Sequence, residues 1–134
     1  MQMNQMIPVK MVIRSRFRST TEDDPSDENH TVLKRNLEIL TGYRGPRGQR
    51  LKVVPLAMPR PVIAKDGRLP ASYANFYVGN SAVLVPIFGD KKNDPWAIKT
   101  MTQLFPGRSV VSVRSNELVY GFGGIHCVTQ QQPA

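Results

Sequence analysis

Cysteine is almost absent from this chain, since Cys127 is the only one in 134 residues. One thiol forms no intramolecular disulfide and builds no structural zinc site, so a disulfide scaffold and a zinc finger are both excluded. Long apolar runs are missing too. No stretch approaches the roughly 20 apolar residues that cross a bilayer as a helix. The opening segment MQMNQMIPVK lacks the basic-then-apolar run and small-residue cleavage site of a secretory signal. These absences point to a reducing, cytoplasmic setting and to no membrane partner. Histidine is limited to His30 and His126, and two histidines among scattered acids predict no metal site. Negative charge is also short, with 10 Asp+Glu against 18 Lys+Arg and a net charge of +8.

That excess raises the question of nucleic acid, because clustered cations bind phosphates by releasing counterions. Here the cations are spread, from Arg14, Arg16 and Arg18 through Lys34 and Arg35 to Arg44, Arg47, Arg50 and Lys52. Aromatics do not interleave with them as a single-strand stacking platform requires. A solvated basic surface is the better reading, and nucleic acid is not an expected partner.

What is present describes an ordinary globular chain of one-domain size, with 40% hydrophobic and 21% charged residues. Residues 1–11 read as a loose N-terminus, and 12–134 as the folded part. Met11–Phe17 alternates as an edge strand. An acidic stretch, Thr20–Glu28, follows, in which Pro25 stops the strand and Ser26 or Asp27 can cap a helix. Val32, Leu33, Leu37 and Leu40 recur at helical spacing, Gly42 ends the helix, and a basic loop leads to the strand LKVVPL.

The second half repeats this order. SAVLVPIF (81–88) reads as a buried strand and GDKKNDP as a connection whose Asp90 and Asp94 open the helix WAIKTMTQLF. Pro-Gly turns the chain into the strand RSVVSV. Two copies of one unit, offset by roughly 60–70 residues, carry more weight than any single helix. Between them lie a proline-rich stretch, an Asp66–Gly67 hairpin signal and the strand ANFYV. The class is α/β, with two ββαβ-like modules.

The tail GFGGIHCVTQQQPA follows a strand-like ELVY. Its glycines Gly121, Gly123 and Gly124 allow unusual backbone conformations or close approach to a ligand. No Gly-Lys-Ser/Thr follows, which excludes a P-loop. A glycine-rich turn leading to cysteine fits a nucleophile presented at a cleft, whereas a free cysteine is also commonly a small buried hydrophobe. If the tail is extended, His126 and Cys127 point to opposite faces, so His126 reads as a structural, hydrogen-bonded histidine and not as the partner of the thiol. His30 has no reason to reach the tail.

The stretch LPASYANFYVGNSAVLVPIFGD (69–90), together with that tail, resembles the C-terminal part of the agmatine deiminase family, relatives of bacterial peptidyl-arginine deiminases in the guanidine-modifying pentein superfamily. The likeness runs upstream through VVPLAMPRPV and the DDPSDENHTVLKRNLEIL helix, so it covers about residues 12–134. It implies five ββαβ modules around a pseudo-fivefold axis, of which this chain would be two blades of the α/β propeller. It implies that Cys127 attacks the guanidinium carbon of agmatine, releasing ammonia and, through an amidino-cysteine, N-carbamoylputrescine, a step toward putrescine. Gly123 and Gly124 match glycines that line the substrate pocket, and no cofactor is implied. In the family, the His-x-Asp motif and the carboxylates that grip the guanidinium lie upstream. Neither His30 nor His126 is followed two residues later by an acid. The expectation is a truncated chain carrying the nucleophile alone, its partner being a missing N-terminal half or further copies of itself. The alternatives are a peptidyl-arginine deiminase and a non-catalytic, association-prone fragment. Tyr73 and Asn75 match a shared strand motif, with packing and backbone hydrogen bonding as their expected roles. Phe122 stands where relatives carry a small residue, and either narrows the pocket or packs.

Overall fold

The computed structural model describes residues 10–13 and 16–132, and two sheets of the same topology dominate it. Residues 1–9, on which most of the expected loose N-terminus falls, lie outside the described residues. In the first sheet β1 (Lys10–Ile13) pairs antiparallel with β2 (Arg16–Thr21). The chain then crosses through α1 (His30–Gly42) to β3 (Lys52–Ala57), which pairs parallel with β2 from Arg16↔Lys52 to Thr21↔Ala57. A parallel pair needs such a crossover, since a tight turn cannot bring the chain back in the same direction.

A short hairpin, β4 (Ile63–Ala64) and β5 (Gly67–Arg68), follows. Its loop is Lys65–Asp66, and Gly67 takes φ 120°, a value open to glycine alone at low cost. The second sheet repeats the first: β6 (Tyr77–Val78) is antiparallel to β7 (Ala82–Ile87), and α2 (Asn93–Leu104) carries the chain to β8 (Ser109–Arg114), parallel to β7. The expected ββαβ order is thus present in both halves of a mixed α/β fold.

Hydrophobic periodicity explains how these elements pack. Val83 and Val85 alternate inward from β7, and Ala97 and Met101 sit one turn apart on the buried face of α2. Val83, Val85 and Met101 meet Leu56 from β3, Phe76 and Phe105, the last two ring to ring at 5.9 Å. A second cluster of Leu69, Ala71, Tyr73, Phe88, Ala97 and Val119 covers the other end. Two strand prolines fit for different reasons. Pro55 is exposed on β3, at the edge of its sheet. Pro86 is in the central strand β7, but β6 pairs only with Leu84 and Val83, so the ladder on that side has ended before the proline.

Four expectations need correction. The alternating segment read as one strand is a hairpin of β1 and β2, because reversal preserves a period of two on both arms. Only Tyr77–Val78 of ANFYV is strand; Ser72–Asn75 is a turn in which Ser72 Oγ accepts the Ala74 N–H at 3.2 Å. ELVY is helical, as α3 (Asn116–Val119), since four residues are too few for periodicity to separate helix from strand. Neither Ser26 nor Asp27 caps α1, which starts after Asn29 without a side-chain cap. Asp27 instead accepts the Asn29 N–H at 2.8 Å and pairs with Arg68 at 2.6 Å, tying the hairpin to the loop before α1.

Asp90 behaves as expected of a helix-opening acid. Its carboxylate accepts the backbone N–H groups of Lys92, Asn93 and Arg60, each at 3.0 Å. Burial pushes its pKa up, but these donors together outweigh burial and hold it below the ordinary 3.8. Burial likewise acts against Asp27, and the Asn29 N–H and Arg68 win, leaving its pKa lowered. A folded pKa below the unfolded one adds stability above the unfolded value, and that stability is lost as pH falls through the folded value. The urea midpoint is therefore expected to fall as pH drops below about 4, and Asp90→Asn should flatten that slope; a slope identical in the variant would remove Asp90 from the account.

Candidate active site

Cys127 sits on a single 3-10 turn, Ile125–Val128, and this corrects the extended tail assumed for it. Gly124 precedes the turn in extended conformation, its carbonyl accepting the Cys127 N–H at 3.0 Å. Ile125 anchors the turn by burial, while Cys127 stays exposed. On a 3-10 turn successive side chains are about 120° apart, so the opposite-faces argument about His126 does not hold. His126 lines an open cleft of about 250 Å³ with Phe76, Tyr77, Val78, Thr129 and Gln130. His30 is engaged elsewhere, with its Nδ1 2.8 Å from the Glu22 carbonyl oxygen.

The structure brings Cys127, Gly123 and Gly124 together and adds Asn75, which makes the expected backbone hydrogen bond and also reaches the thiol. Asn75 Oδ1 accepts the His126 backbone N–H at 2.9 Å, and its Nδ2 lies 3.5 Å from Cys127 Sγ. The glycines are small for steric reasons. A Cβ on Gly123 would stand 3.1 Å from Cys127 Cβ and 3.5 Å from Sγ. One on Gly124 would stand 2.7 Å from both Cγ and Nδ2 of Asn75. The tail glycines do not serve an unusual backbone conformation, because Gly121, Gly123 and Gly124 are not among the residues of positive φ; Gly123 and Gly124 instead admit neighbouring side chains of this chain.

The residue of positive φ in this tail is Phe122, at 57°, immediately after the turn that closes α3. Glycine usually fills that left-handed place at a helix end. Phe122 is 62% exposed, so neither packing nor burial offsets the strain. With Tyr120 and Arg68 it borders a small cavity of about 90 Å³. Phe122→Gly is expected to raise stability by about 1 kcal/mol, read from the urea midpoint, and a loss of stability would show that the ring holds the turn.

The buried acids nearby have structural duties. Asp94 accepts the Tyr73 hydroxyl at 2.6 Å and the N–H groups of Phe88 and Gly89 at 3.1 and 2.8 Å. It closes the end of β7 onto α2 in place of capping the helix. Burial and the Asp94 carboxylate keep the Tyr73 hydroxyl protonated far above its ordinary range. Asn75 thus closes a turn whose buried tyrosine is fixed. Sequence reading undervalued Asn75 because its partner is 52 residues away; the one available signal was its proximity in motif to Tyr73. Among the described residues no group of three or more His, Cys, Asp or Glu could hold a metal ion, and no helix is long and apolar enough to cross a membrane.

Comparison with known proteins adds a second line of evidence. Residues 5–133 match the Porphyromonas-type peptidyl-arginine deiminase family. A Mycoplasma capricolum protein provisionally named agmatine deiminase is 38% identical over 131 residues, covering 85% of this chain and 36% of that protein. The agmatine deiminase of Medicago truncatula is 36% identical over 131 residues, covering 84% and 35%. A crystal structure from Porphyromonas gingivalis, provisionally named an arginine deiminase, superposes with a TM-score of 0.88 at 38% identity, covering 93% of this chain and 37% of that one. The chain spans about a third of the length of the curated relatives it matches.

Proposed function

The chain belongs to the Porphyromonas-type peptidyl-arginine deiminase family, and on that premise we propose that Cys127 is the nucleophile of a hydrolytic deimination of agmatine. The observation that carries the reading is an exposed thiol on a short turn, flanked by glycine on one side and an amide on the other. The Cys127 thiolate attacks the guanidinium carbon, and the tetrahedral adduct collapses with loss of one nitrogen, which takes up a proton and leaves as ammonia. Water adds to the resulting amidino-cysteine, and the second collapse breaks the C–S bond, releasing N-carbamoylputrescine and restoring the thiol.

Each group in this chain has a part in that scheme. Gly123 leaves the face of the sulfur open to a planar cation, and with Gly124 it forms the wall of the guanidinium pocket. A guanidinium is a poor electrophile unless carboxylates hold it bidentately and a base moves protons. The resemblance to the family implies that those carboxylates and the His-x-Asp histidine come from modules upstream of this region, and the buried Asp90 and Asp94 are committed to backbone and side-chain donors of their own. Residues 12–134 then form two of five ββαβ blades, and the working site lies where the blades meet. The enzyme works in the cytoplasm without a cofactor. Agmatine is favoured over peptidyl-arginine because the curated relatives are named for agmatine.

The test measures ammonia and N-carbamoylputrescine from agmatine, and citrulline from an arginine peptide. It uses this chain alone and this chain replacing the matching third of the Medicago truncatula enzyme. Turnover of agmatine by the chimera supports the reading, citrulline from the peptide would reassign the substrate, and a folded chimera inert toward both would leave a non-catalytic segment.

A further inference from the structure

Asn75 is joined to the cysteine turn by more than packing requires. Because the His126 backbone N–H can only donate, the amide oxygen must be the atom that faces it, at 2.9 Å. That contact fixes the amide's orientation and leaves Nδ2, a donor, 3.5 Å from Cys127 Sγ. The oxygen is also 3.9 Å from the sulfur, within reach of a weak S–H donor. One side chain therefore addresses both protonation states, accepting from the thiol and donating to the thiolate. A hydrogen bond to a charged acceptor is the stronger of the two, so the pair favours ionisation.

Gly124 belongs to the same device. The 2.7 Å approach of its virtual Cβ to Asn75 Cγ and Nδ2 leaves no room for any other residue while the amide stays in place. Asparagine is short, so the amide cannot yield without leaving the sulfur.

We infer that Asn75 is the positioning residue of this site: its amide seats the 3-10 turn through His126, donates to Cys127 Sγ, and thereby promotes the thiolate, while Gly124 is glycine in order to admit that amide. This rests on the reading of Cys127 as the nucleophile, and it extends that reading to how the thiol is held and ionised.

The test exploits the single cysteine: iodoacetamide alkylation of the 134-residue chain, followed by mass, reports Cys127 alone. Its rate is measured against pH for the natural chain, Asn75→Ala, Gly124→Ala and the double variant. In Asn75→Ala the pH midpoint is expected to rise by about one unit. Below the midpoint the rate should fall about threefold, because tenfold fewer thiolates are partly offset by their greater nucleophilicity. Gly124→Ala should shift the midpoint in the natural background and add nothing in the Asn75→Ala background, as coupled residues do. A merely structural asparagine would change the limiting rate and leave the midpoint in place. An unmoved midpoint in folded Asn75→Ala overturns the inference, and so does a Gly124→Ala shift equal in both backgrounds. If Asn75→Ala does not fold, Asn75→Leu keeps the side-chain volume and removes the donor without adding a charge beside the sulfur, and an unmoved midpoint there overturns it equally. Alkylation needs no substrate. A shifted midpoint with no deiminase turnover in the chimera would therefore sink the enzyme reading alone, and turnover with an unmoved midpoint would sink only the role of Asn75.

Discussion

Cys127→Ser is expected to reduce agmatine turnover by the chimera at least about a thousandfold, the scale on which loss of a covalent nucleophile is felt. Serine keeps the shape of the turn: the Gly124 carbonyl still accepts the backbone N–H at position 127, and Asn75 still holds His126. What is lost is an atom that ionises near neutral pH and attacks a weak electrophile. The loss should therefore fall on kcat with little change in KM for agmatine. Mass spectrometry of a quenched reaction should show the amidino adduct on the natural chain and none on the variant. Turnover within tenfold of the natural chain would remove Cys127 from the mechanism, and a large rise in KM with kcat intact would recast it as a binding group.

Asp94→Ala should cost about 3 kcal/mol, lowering the melting temperature by about 10 °C. The size follows from what the carboxylate holds together. Tyr73 is fully buried, and its hydroxyl donates to Asp94 at 2.6 Å, while the buried Phe88 N–H reaches the same oxygen at 3.1 Å. Alanine leaves both donors without an acceptor, each at a cost of about 1–3 kcal/mol. Tyr73→Phe removes one donor along with its need, and should cost only about 1 kcal/mol. Measured by urea titration, equal losses in the two variants would mean that the Phe88 and Gly89 contacts contribute nothing. The turn that carries Asn75 runs through Tyr73, so damage at Asp94 should also slow and scatter Cys127 alkylation.

The periodic elements were legible in the sequence because each has a face. SAVLVPIF reads as a buried strand, Ile98, Met101 and Leu104 recur at helical spacing on α2, and the repeat of strand, helix and strand located both modules. The misreadings fall where pattern and structure part company. The alternation of β1 passes through a reversal without interruption, and α3 is too short to show a period. The cysteine tail looked extended because glycines carry no periodicity at all. Within the site, Cys127, Gly123 and Gly124 were recognisable from a motif, since they lie within five residues. Asn75 was present in a recognised motif, yet its partnership with position 127 spans 52 residues and depends on the tail after β8 folding back beside the segment that leads into β6. Asp94 was read as a helix cap from local sequence. Its real partners, Tyr73 and Phe88, became visible only once β7 and α2 had been packed.

The placement of the strand prolines makes the two sheets unequal toward any approaching chain. A neighbouring strand laid against the outer side of β3 meets Pro55, a residue with no N–H to give, at the middle of a six-residue edge. The outer edge of β8, SVVSVR, has no proline, and among the described residues no strand covers it. Its run of valine and serine is the composition from which intermolecular ladders and fibrils grow, guarded only by the charge of Arg114 at its end. Self-association of this chain on storage should therefore begin at β8, and a lysine or proline placed at Val111 is the change that would keep it in solution.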